Sequence, residues 1–272
     1  MLGKYWPLTS TQRGAIAAIT ILSFAAPLAA AELTARDITL QFHKAEPSTR
    51  VNFSGKNLAN LDLAGLDFKS AILAKANLYG ADLSSANLKG TDLSGAKLDR
   101  AIVSRADFSG TNMQGASVLR PSIYTSLDYN PAETPKFVNA NLKGATLIAR
   151  LDGADFSGAN LEGATIGPVN AADDTLVTRS SRMIAPNFTG ANLSAATFRF
   201  VDFAYGRFAG ANLAGASLMG ANLEKADLSN ADLTGADLSG SNLDGARLIG
   251  VKGFDTVKGL ASVRNLDKAI RE

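Results

Sequence analysis

The stretch "ADLSNADLTGADLSGSNLDGARL", from Ala226 to Leu248, decides the fold because it places a leucine at every fifth position without exception. The full run of such centres extends from Phe188 to Leu248, and every centre is Leu or Phe. The residue two positions earlier is usually Ala, and the residue between them favours Asp or Asn. A period of five fits neither an α-helix nor a continuous strand, because neither element keeps every fifth residue on one face.

An earlier run has the same period, with apolar centres from Phe53 to Ile123. Between the two runs, further centres begin at Phe137 and, after a register slip around Leu151, at Phe156. If the small residue and the centre both point inward, as on a short strand, the Asp or Asn between them points outward. One such side cannot bury its inward residues alone, so the pattern predicts stacked coils of a solenoid.

The repeated "ADLSNADLTGADLSG" resembles the A(D/N)LxX pattern of the pentapeptide-repeat family. The resemblance implies an all-β solenoid: a right-handed quadrilateral β-helix of pentapeptide repeats with short helical caps, with four five-residue sides in each coil. Residues one coil apart then lie above one another, so Phe188 should stack on Phe208. Outside that column, Arg207, Asp227 and Arg247 should alternate in sign.

The N-terminus has the pattern of a secretory signal peptide. An apolar run, Gly14–Ala31, follows two basic residues and ends with Ala29 and Ala31 in an A-x-A arrangement. We expect residues 1–31 to be removed before Glu32, which predicts an exported protein, periplasmic or secreted. The alternative is an uncleaved membrane anchor, but Pro27 shortens the apolar run below the roughly 20 residues that a spanning helix needs. A membrane is therefore expected only through the signal peptide.

Composition excludes several kinds of site. The 272 residues include no cysteine and one histidine, His43, which rules out disulfides, metal sites built on Cys or His, and Ser-His or Cys-His nucleophiles. We predict no cofactor and no metal, and a surface or packing role for His43. Without the leader's two basic residues, the 27 basic residues fall to the same number as the 25 acidic ones, so the exported chain is neutral.

The segments outside the repeat predict caps. Near the N-terminus, Thr34 and Asp37 have capping-box spacing, and Ile38 and Phe42 lie one helical turn apart. A short strand is the alternative, because apolar residues also alternate there. The predicted organisation is a signal peptide at 1–31, an N-terminal cap at 32–50, a β-helix at 51–250 and a C-terminal cap at 251–272.

The C-terminal cap is predicted as helical turns that cover the last coil, because Val257, Leu260, Val263 and Leu266 recur every three residues.

Two proline-containing insertions, 124–136 and 167–186, break the repeat and should leave the rod as loops. Basic and aromatic residues lie near both, and Arg100 and Arg120 should stack on one face. They suggest a surface for a partner. The alternative is tolerated insertions and scattered solvated charges. The candidate partner-binding residues are Arg100, Arg105, Arg120, Tyr124, Tyr129, Arg179 and Arg182.

These features favour an exported, non-enzymatic scaffold that binds an unknown protein or cell-envelope component, with no nucleic acid partner and a possible end-to-end homodimer. One alternative comes from the resemblance: some family members mimic DNA and protect gyrase from quinolones. That mechanism needs a strongly acidic, cytoplasmic rod. Another alternative is an enzyme that uses the carboxylates of Asp152, Asp155, Asp173 or Asp174 in or beside the insertions.

Overall fold

The four-sided coil is visible in the backbone pairing of the computed structural model, which describes residues 32–46, 48–123, 130–167 and 182–272. Parallel bridges join residues one full coil apart, such as Asn52 with Ile72 and Asp82 with Ile102. Four five-residue sides account for this spacing. The protein is a right-handed quadrilateral β-helix, so the predicted fold class is confirmed.

Each side repeats the same arrangement. In the side that contains Asp82, Ala81 and Leu83 are fully buried. The N–H of Asp82 donates to the Leu61 carbonyl of the preceding coil, and the N–H of Leu83 donates to the Ile102 carbonyl of the next, both at 2.8 Å. The Asp82 Oδ1 accepts the N–H two residues later at 2.8 Å, which stabilises the corner as an Asx turn.

Longer parallel pairing occurs on one side, where β1 (Ser117–Leu119), β2 (Thr146–Ile148) and β3 (Thr165–Ile166) form a sheet in the order β1-β2-β3.

The core fills the bore of the rod and contains a continuous phenylalanine stack. Neighbouring ring centroids are 5.1, 4.7, 4.9 and 5.2 Å apart along Phe108, Phe137, Phe156, Phe188 and Phe208. The predicted stacking of Phe188 on Phe208 is confirmed.

The N-terminal helix α1 (Ala35–Lys44) begins at a complete capping box. The N–H of Asp37 donates to Thr34 Oγ1 at 3.2 Å, and the N–H of Thr34 donates to Asp37 Oδ2 at 2.9 Å. Both orphan donors are satisfied, so the helix forms and the alternative strand is wrong.

Helix α1 packs over the first coil through its apolar face. Ile38 and Phe42 are buried. The Phe42 ring meets two rings of the bore edge-on, with centroid distances of 5.5 Å to Phe53 and 5.9 Å to Phe68. Within the described residues, no helix has the length and apolar character needed to cross a membrane.

The helical turns predicted for the C-terminal cap are present, but residues 251–272 continue the coil rather than cover its end. Lys258, Arg264 and Ile270 pair with residues of the preceding coil. These sides are one residue longer than the others, and a 3-10 turn takes up the extra residue at each corner. The turns are Phe254–Thr256, Leu260–Ser262 and Leu266–Lys268. The apolar spacing of three therefore reflects six-residue sides.

The first break in the repeat is shorter than the predicted 124–136. After the 3-10 turn Pro131–Glu133, the Glu133 carbonyl accepts the N–H of Arg105 at 2.7 Å. Lys136 already pairs with Asp107 in the wall. Backbone pairing resumes there although the side chains do not follow the five-residue pattern. Residues 124–129 lie outside the described residues.

The second break is also shorter than the predicted 167–186. Arg182 pairs with Arg150 and Asp202, and Met183 is fully buried in the bore. Met183 thus fills a centre position within a segment that was predicted to leave the rod as a loop. Residues 168–181 lie outside the described residues, as do the predicted signal peptide at 1–31 and Pro47, so the loop and leader assignments stay predictions.

Candidate functional site

One side of the rod borders both breaks in the repeat. The first break begins after Ile123, which belongs to this side, and the second ends within it at Arg182. The register slip lies here too, because the chain reaches Arg150 on this side only four residues after Thr146 on the preceding side, where five is usual. We call this side the arginine face and include its two bordering corners. Its outward residues between the first and last coils include Asp82, Ile102, Ser122, Arg150, Arg182 and Asp202.

The first corner carries two arginines on successive coils. The N–H of Arg100 donates to the Leu119 carbonyl at 2.8 Å, which places Arg120 above Arg100. Both have left-handed backbone, with φ of 59° and 52°, and both side chains are exposed. Bulky residues rarely adopt this conformation because it costs about 1–2 kcal/mol. Within the described part of the chain, neither guanidinium makes an ion pair or a hydrogen bond.

The two arginines border a surface groove of about 330 Å³. Asp99 lies in its wall, where Oδ1 accepts the Ser117 hydroxyl at 2.5 Å and the Leu119 N–H at 3.1 Å. Two guanidinium groups face one carboxylate, so the groove carries net positive charge. Its lining residues are Tyr79, Asp99, Arg100, Leu119, Arg120 and Ile148.

The second corner places large side chains in the same left-handed conformation. Arg105 and Tyr205 both have φ of 60°. The side chain of Tyr205 is 51% exposed, and the Lys225 Nζ lies 3.4 Å from its hydroxyl and 5.3 Å from its ring centroid. Hydrogen bonding to Tyr205 and the nearby Glu224 carboxylate raise the pKa of Lys225. This part of the face is aromatic and cationic.

A further exposed aromatic side chain lies at the first corner, beyond the second break. Phe200 has φ of 59° and is 38% exposed. The Cζ of Arg199 lies 6.0 Å from its ring centroid. The register that pairs Leu119 with Ile148, and Thr165 with Thr197, puts Phe200 in the same corner column as Arg100 and Arg120.

Arg182 has a structural contact rather than a free position on the surface. Its Nε lies 3.0 Å from Asp152 Oδ2, and Asp152 is only 2% exposed. Asp152 Oδ1 also accepts the N–H of Ile184 at 2.9 Å. The buried carboxylate thus holds the chain where it returns to the wall, so Arg182 positions the face more than it offers a contact.

The structure places Arg120 above Arg100, as the sequence predicted, and it places Arg105 at the other corner of the same side. Three other candidates, Tyr124, Tyr129 and Arg179, lie outside the described residues. Residues that the sequence analysis missed are Tyr79, Leu119, Ile148, Phe200 and Tyr205. A signal was present for two of them: Phe200 and Tyr205 occupy the fifth repeat position, where glycine is usual.

The carboxylates of the enzyme hypothesis do not form a common site. Asp152 is buried against Arg182, whereas Asp155 belongs to another side and accepts the Asn187 amide at 2.9 Å. Asp173 and Asp174 lie outside the described residues. Among the residues that are described, no three His, Cys, Asp or Glu side chains cluster as a metal site requires. His43 is exposed in the last turn of α1.

The opposite side of the rod satisfies its own polar groups. A ladder of asparagines runs along it, and each amide donates to the residue one coil below. The distances are 3.0, 3.0, 3.4, 3.0 and 3.2 Å for the donors Asn112, Asn141, Asn160, Asn192 and Asn212. The arginine face has a shorter ladder, in which the amide of Asn222 donates to Asp202 and that of Asn242 donates to Asn222. Among the described residues, the two sides differ in the exposed arginines and rings at the corners of the arginine face.

Comparison with known proteins agrees with this architecture. The family model described as "Pentapeptide repeats" matches in 8 copies, over 49–84, 76–115, 136–166, 184–218 and 216–252. These segments make up more than half of the chain. No curated protein sequence matches.

Several solved structures are similar. HetL, a pentapeptide repeat protein involved in heterocyst differentiation regulation from Nostoc sp. strain PCC 7120, is 23% identical with a TM-score of 0.44, covering 88% of this chain and 94% of its own. QnrB1, a plasmid-mediated fluoroquinolone resistance protein, is 17% identical with a TM-score of 0.44, covering 80% and 93%. A pentapeptide repeat protein of the Arabidopsis thaliana thylakoid lumen is 28% identical with a TM-score of 0.23, covering 52% and 88%.

Proposed function

This chain belongs to the pentapeptide-repeat family, and on that premise we propose that it is a non-enzymatic scaffold whose arginine face binds a protein or cell-envelope partner. One observation carries the proposal: both breaks in the repeat border one side of the rod, and exposed arginine and aromatic side chains lie at the two corners of that side. These residues are Arg100, Arg105, Arg120, Phe200 and Tyr205. Binding residues are commonly held on irregular segments of a rigid scaffold.

The composition of the face suits an interface. Arginine and tyrosine are the residue types that most often anchor protein–protein contacts, because they combine apolar area with hydrogen bonding. Arg105 and Tyr205 supply both at one corner, and Phe200 adds an exposed ring at the other. Strained backbone at functional sites is a recurrent feature of proteins. The left-handed arginines and aromatics fit that description.

The proposal includes export. The apolar run that ends at Ala31 supports a cleaved leader, and the neutral charge of the remaining chain fits a scaffold better than an acidic mimic of DNA. Fusion of the whole chain to alkaline phosphatase, which is active only after export, should give an active enzyme in cells. The same fusion without residues 2–31 should stay inactive. Equal activity of both fusions, or inactivity of both, would contradict export.

The binding role of the face is tested by affinity capture from the native compartment with matched variants. Arg105→Gly combined with Tyr205→Gly removes two side chains of the arginine face and leaves the backbone conformation acceptable to glycine. The control, Lys75→Gly combined with Ala195→Gly, changes two left-handed corners elsewhere, where φ is 58° and 54°.

We expect the wild-type chain and the control to recover the same partner, and the face variant to lose most of it. Equal recovery by all three proteins would contradict the role of this face. The predicted end-to-end homodimer stays a prediction.

A further inference from the structure

We propose that the groove between Arg100 and Arg120 binds an extended acidic segment of a protein partner, with a carboxylate held by the two guanidinium groups. The inference rests on the proposed scaffold function and names the chemistry of the bound segment. Two arginines lie one above the other in left-handed backbone, and within the described residues neither guanidinium forms an ion pair. Asp99, the one acidic residue that lines the groove, leaves an excess of positive charge.

The neighbouring corners show how unusual this arrangement is. Gly80 precedes Arg100 in the column, and elsewhere a large corner residue is usually followed by glycine on the next coil. Lys75 is followed by Gly95, and Phe200 is followed by Gly220. A side chain at Gly220 would collide with the Phe200 ring, because its Cβ would lie 2.4 Å from a ring carbon. Arg100 is instead followed by another arginine. Placing like charges side by side is unfavourable, which favours a ligand that supplies the missing negative charge.

The shape of the groove fits a peptide. Tyr79, Leu119 and Ile148 belong to one column along the rod axis, which rises about 4.8 Å with each coil. From Tyr79 to Ile148 the groove therefore extends about 14 Å, the length of roughly four extended residues. The side chains of Leu119 and Ile148 are half-buried and offer apolar contact beside the guanidinium groups.

The acceptors in the wall distinguish a peptide from a bare phosphate. Asp99 contributes a carboxylate and Tyr79 a hydroxyl. A peptide brings several N–H donors along its length that these oxygens can accept, whereas phosphate brings mainly acceptors and places a concentrated negative charge beside Asp99. The combination of two cations, one anion and an apolar strip thus favours an acidic segment that also carries apolar side chains.

The test uses the whole mature chain and a fluorescent peptide with alternating glutamate and leucine, measured by fluorescence anisotropy. The site variant is Arg100→Gly with Arg120→Gly, and the control is Lys75→Gly, a basic corner residue on another side of the rod. We expect the site variant to bind about tenfold or more weakly, since it loses charge-assisted hydrogen bonds. The control should bind like the wild type. A glutamine–leucine peptide should bind weakly to all three proteins.

Two further measurements test whether the groove binds other anions instead of the peptide. Inorganic phosphate and vesicles that contain phosphatidylglycerol should neither bind through these arginines nor displace the peptide at matched ionic strength. Equal peptide binding by the wild type and the site variant would overturn the inference. So would binding of phosphate or vesicles, in place of the peptide, that the site variant loses. If affinity capture still depends on Arg105 and Tyr205, the scaffold function survives that failure.

Discussion

At the scale of single residues, this rod departs from its repeat pattern at the corner positions. Glycine is usual there because left-handed backbone costs it nothing, as at Gly110 with φ of 65°. Arg120 has φ of 52° at an equivalent corner. The left-handed backbone is therefore unfavourable for Arg120, and its cost can be measured as a change in the free energy of unfolding.

We predict that Arg120→Gly raises the free energy of unfolding by about 0.5–1 kcal/mol, since relief of strain exceeds the entropy cost of glycine. Gly110→Ala should lower it by about 1 kcal/mol, because a Cβ at Gly110 meets no atom within 4 Å and only strain remains. Urea denaturation of both variants provides the measurement. A loss of stability in Arg120→Gly would mean that the arginine supports the fold.

Ser241 offers a second prediction at a single atom. It occupies an inward position where Ala is usual, it is fully buried, and its hydroxyl has no hydrogen-bond partner among the described residues. Ser241→Ala should therefore stabilise the protein by about 1 kcal/mol. The matched variant is Thr91→Ala, whose hydroxyl donates to the Leu88 carbonyl at 2.7 Å, and it should be destabilising. A lower unfolding midpoint for Ser241→Ala would contradict this account.

The outward aspartates make stability depend on pH. The Thr234 hydroxyl and N–H donate to Asp232 Oδ1 at 2.6 and 2.9 Å, and they lower the pKa of this carboxyl. A lowered pKa in the folded state adds stability above the unfolded value of about 4, and this stability is lost as the pH falls through the folded value. The advantage of the wild type over Asp232→Asn should shrink from pH 6 to about pH 2. A constant difference in urea midpoint across that range would exclude this linkage.

At the scale of elements, the return of the chain at Arg182 depends on one buried carboxylate. The side chain of Asp152 is 3% exposed and that of Arg182 is 36% exposed. Asp152→Ala should lower the free energy of unfolding by about 2–3 kcal/mol, less than for a fully buried pair because Arg182 can regain water. Asp152→Asn should cost less, since its oxygen can still accept the N–H of Ile184. Losses below about 0.5 kcal/mol in urea would show that the pair is dispensable.

The elements also show what a sequence pattern can and cannot predict. The five-residue period predicts the sides and the stacked phenylalanines, because each apolar centre must point into the bore to be buried. It does not predict where Glu133 and Arg182 rejoin the wall, since parallel backbone pairing tolerates many outward side chains. The C-terminal spacing of three predicts helical turns, and these are present, but it does not show that they form the corners of six-residue sides in a further coil.

For the candidate site, the sequence placed Arg100 and Arg120 together because their separation equals one coil. The sequence does not predict that Leu119 lies beside Ile148, because this pairing depends on the number of residues in the break that separates them along the chain. The groove is thus a product of the first break in the repeat. Phe200 reaches the same corner only after the second break.

At the scale of the whole molecule, one side of the rod follows the repeat closely, and the opposite side borders the breaks in the repeat and carries exposed arginines and aromatic rings. The asparagine ladder that contains Asn141 and Asn160 pairs its own amides, so that side offers few unpaired groups to a partner. The arginine face offers cations, rings and a groove. We therefore expect recognition to take place on this face alone.

Site-specific photocrosslinking distinguishes binding at the arginine face from binding at the asparagine side. A benzoylphenylalanine at Ile102, an outward residue of the arginine face, is compared with one at Gln114, an exposed residue on the asparagine side. After irradiation in the native compartment, we predict a discrete adduct with one partner from Ile102 that disappears when Arg100 and Arg120 are replaced by glycine, and no such adduct from Gln114. The same adduct from both positions, or from Gln114 alone, would contradict the account.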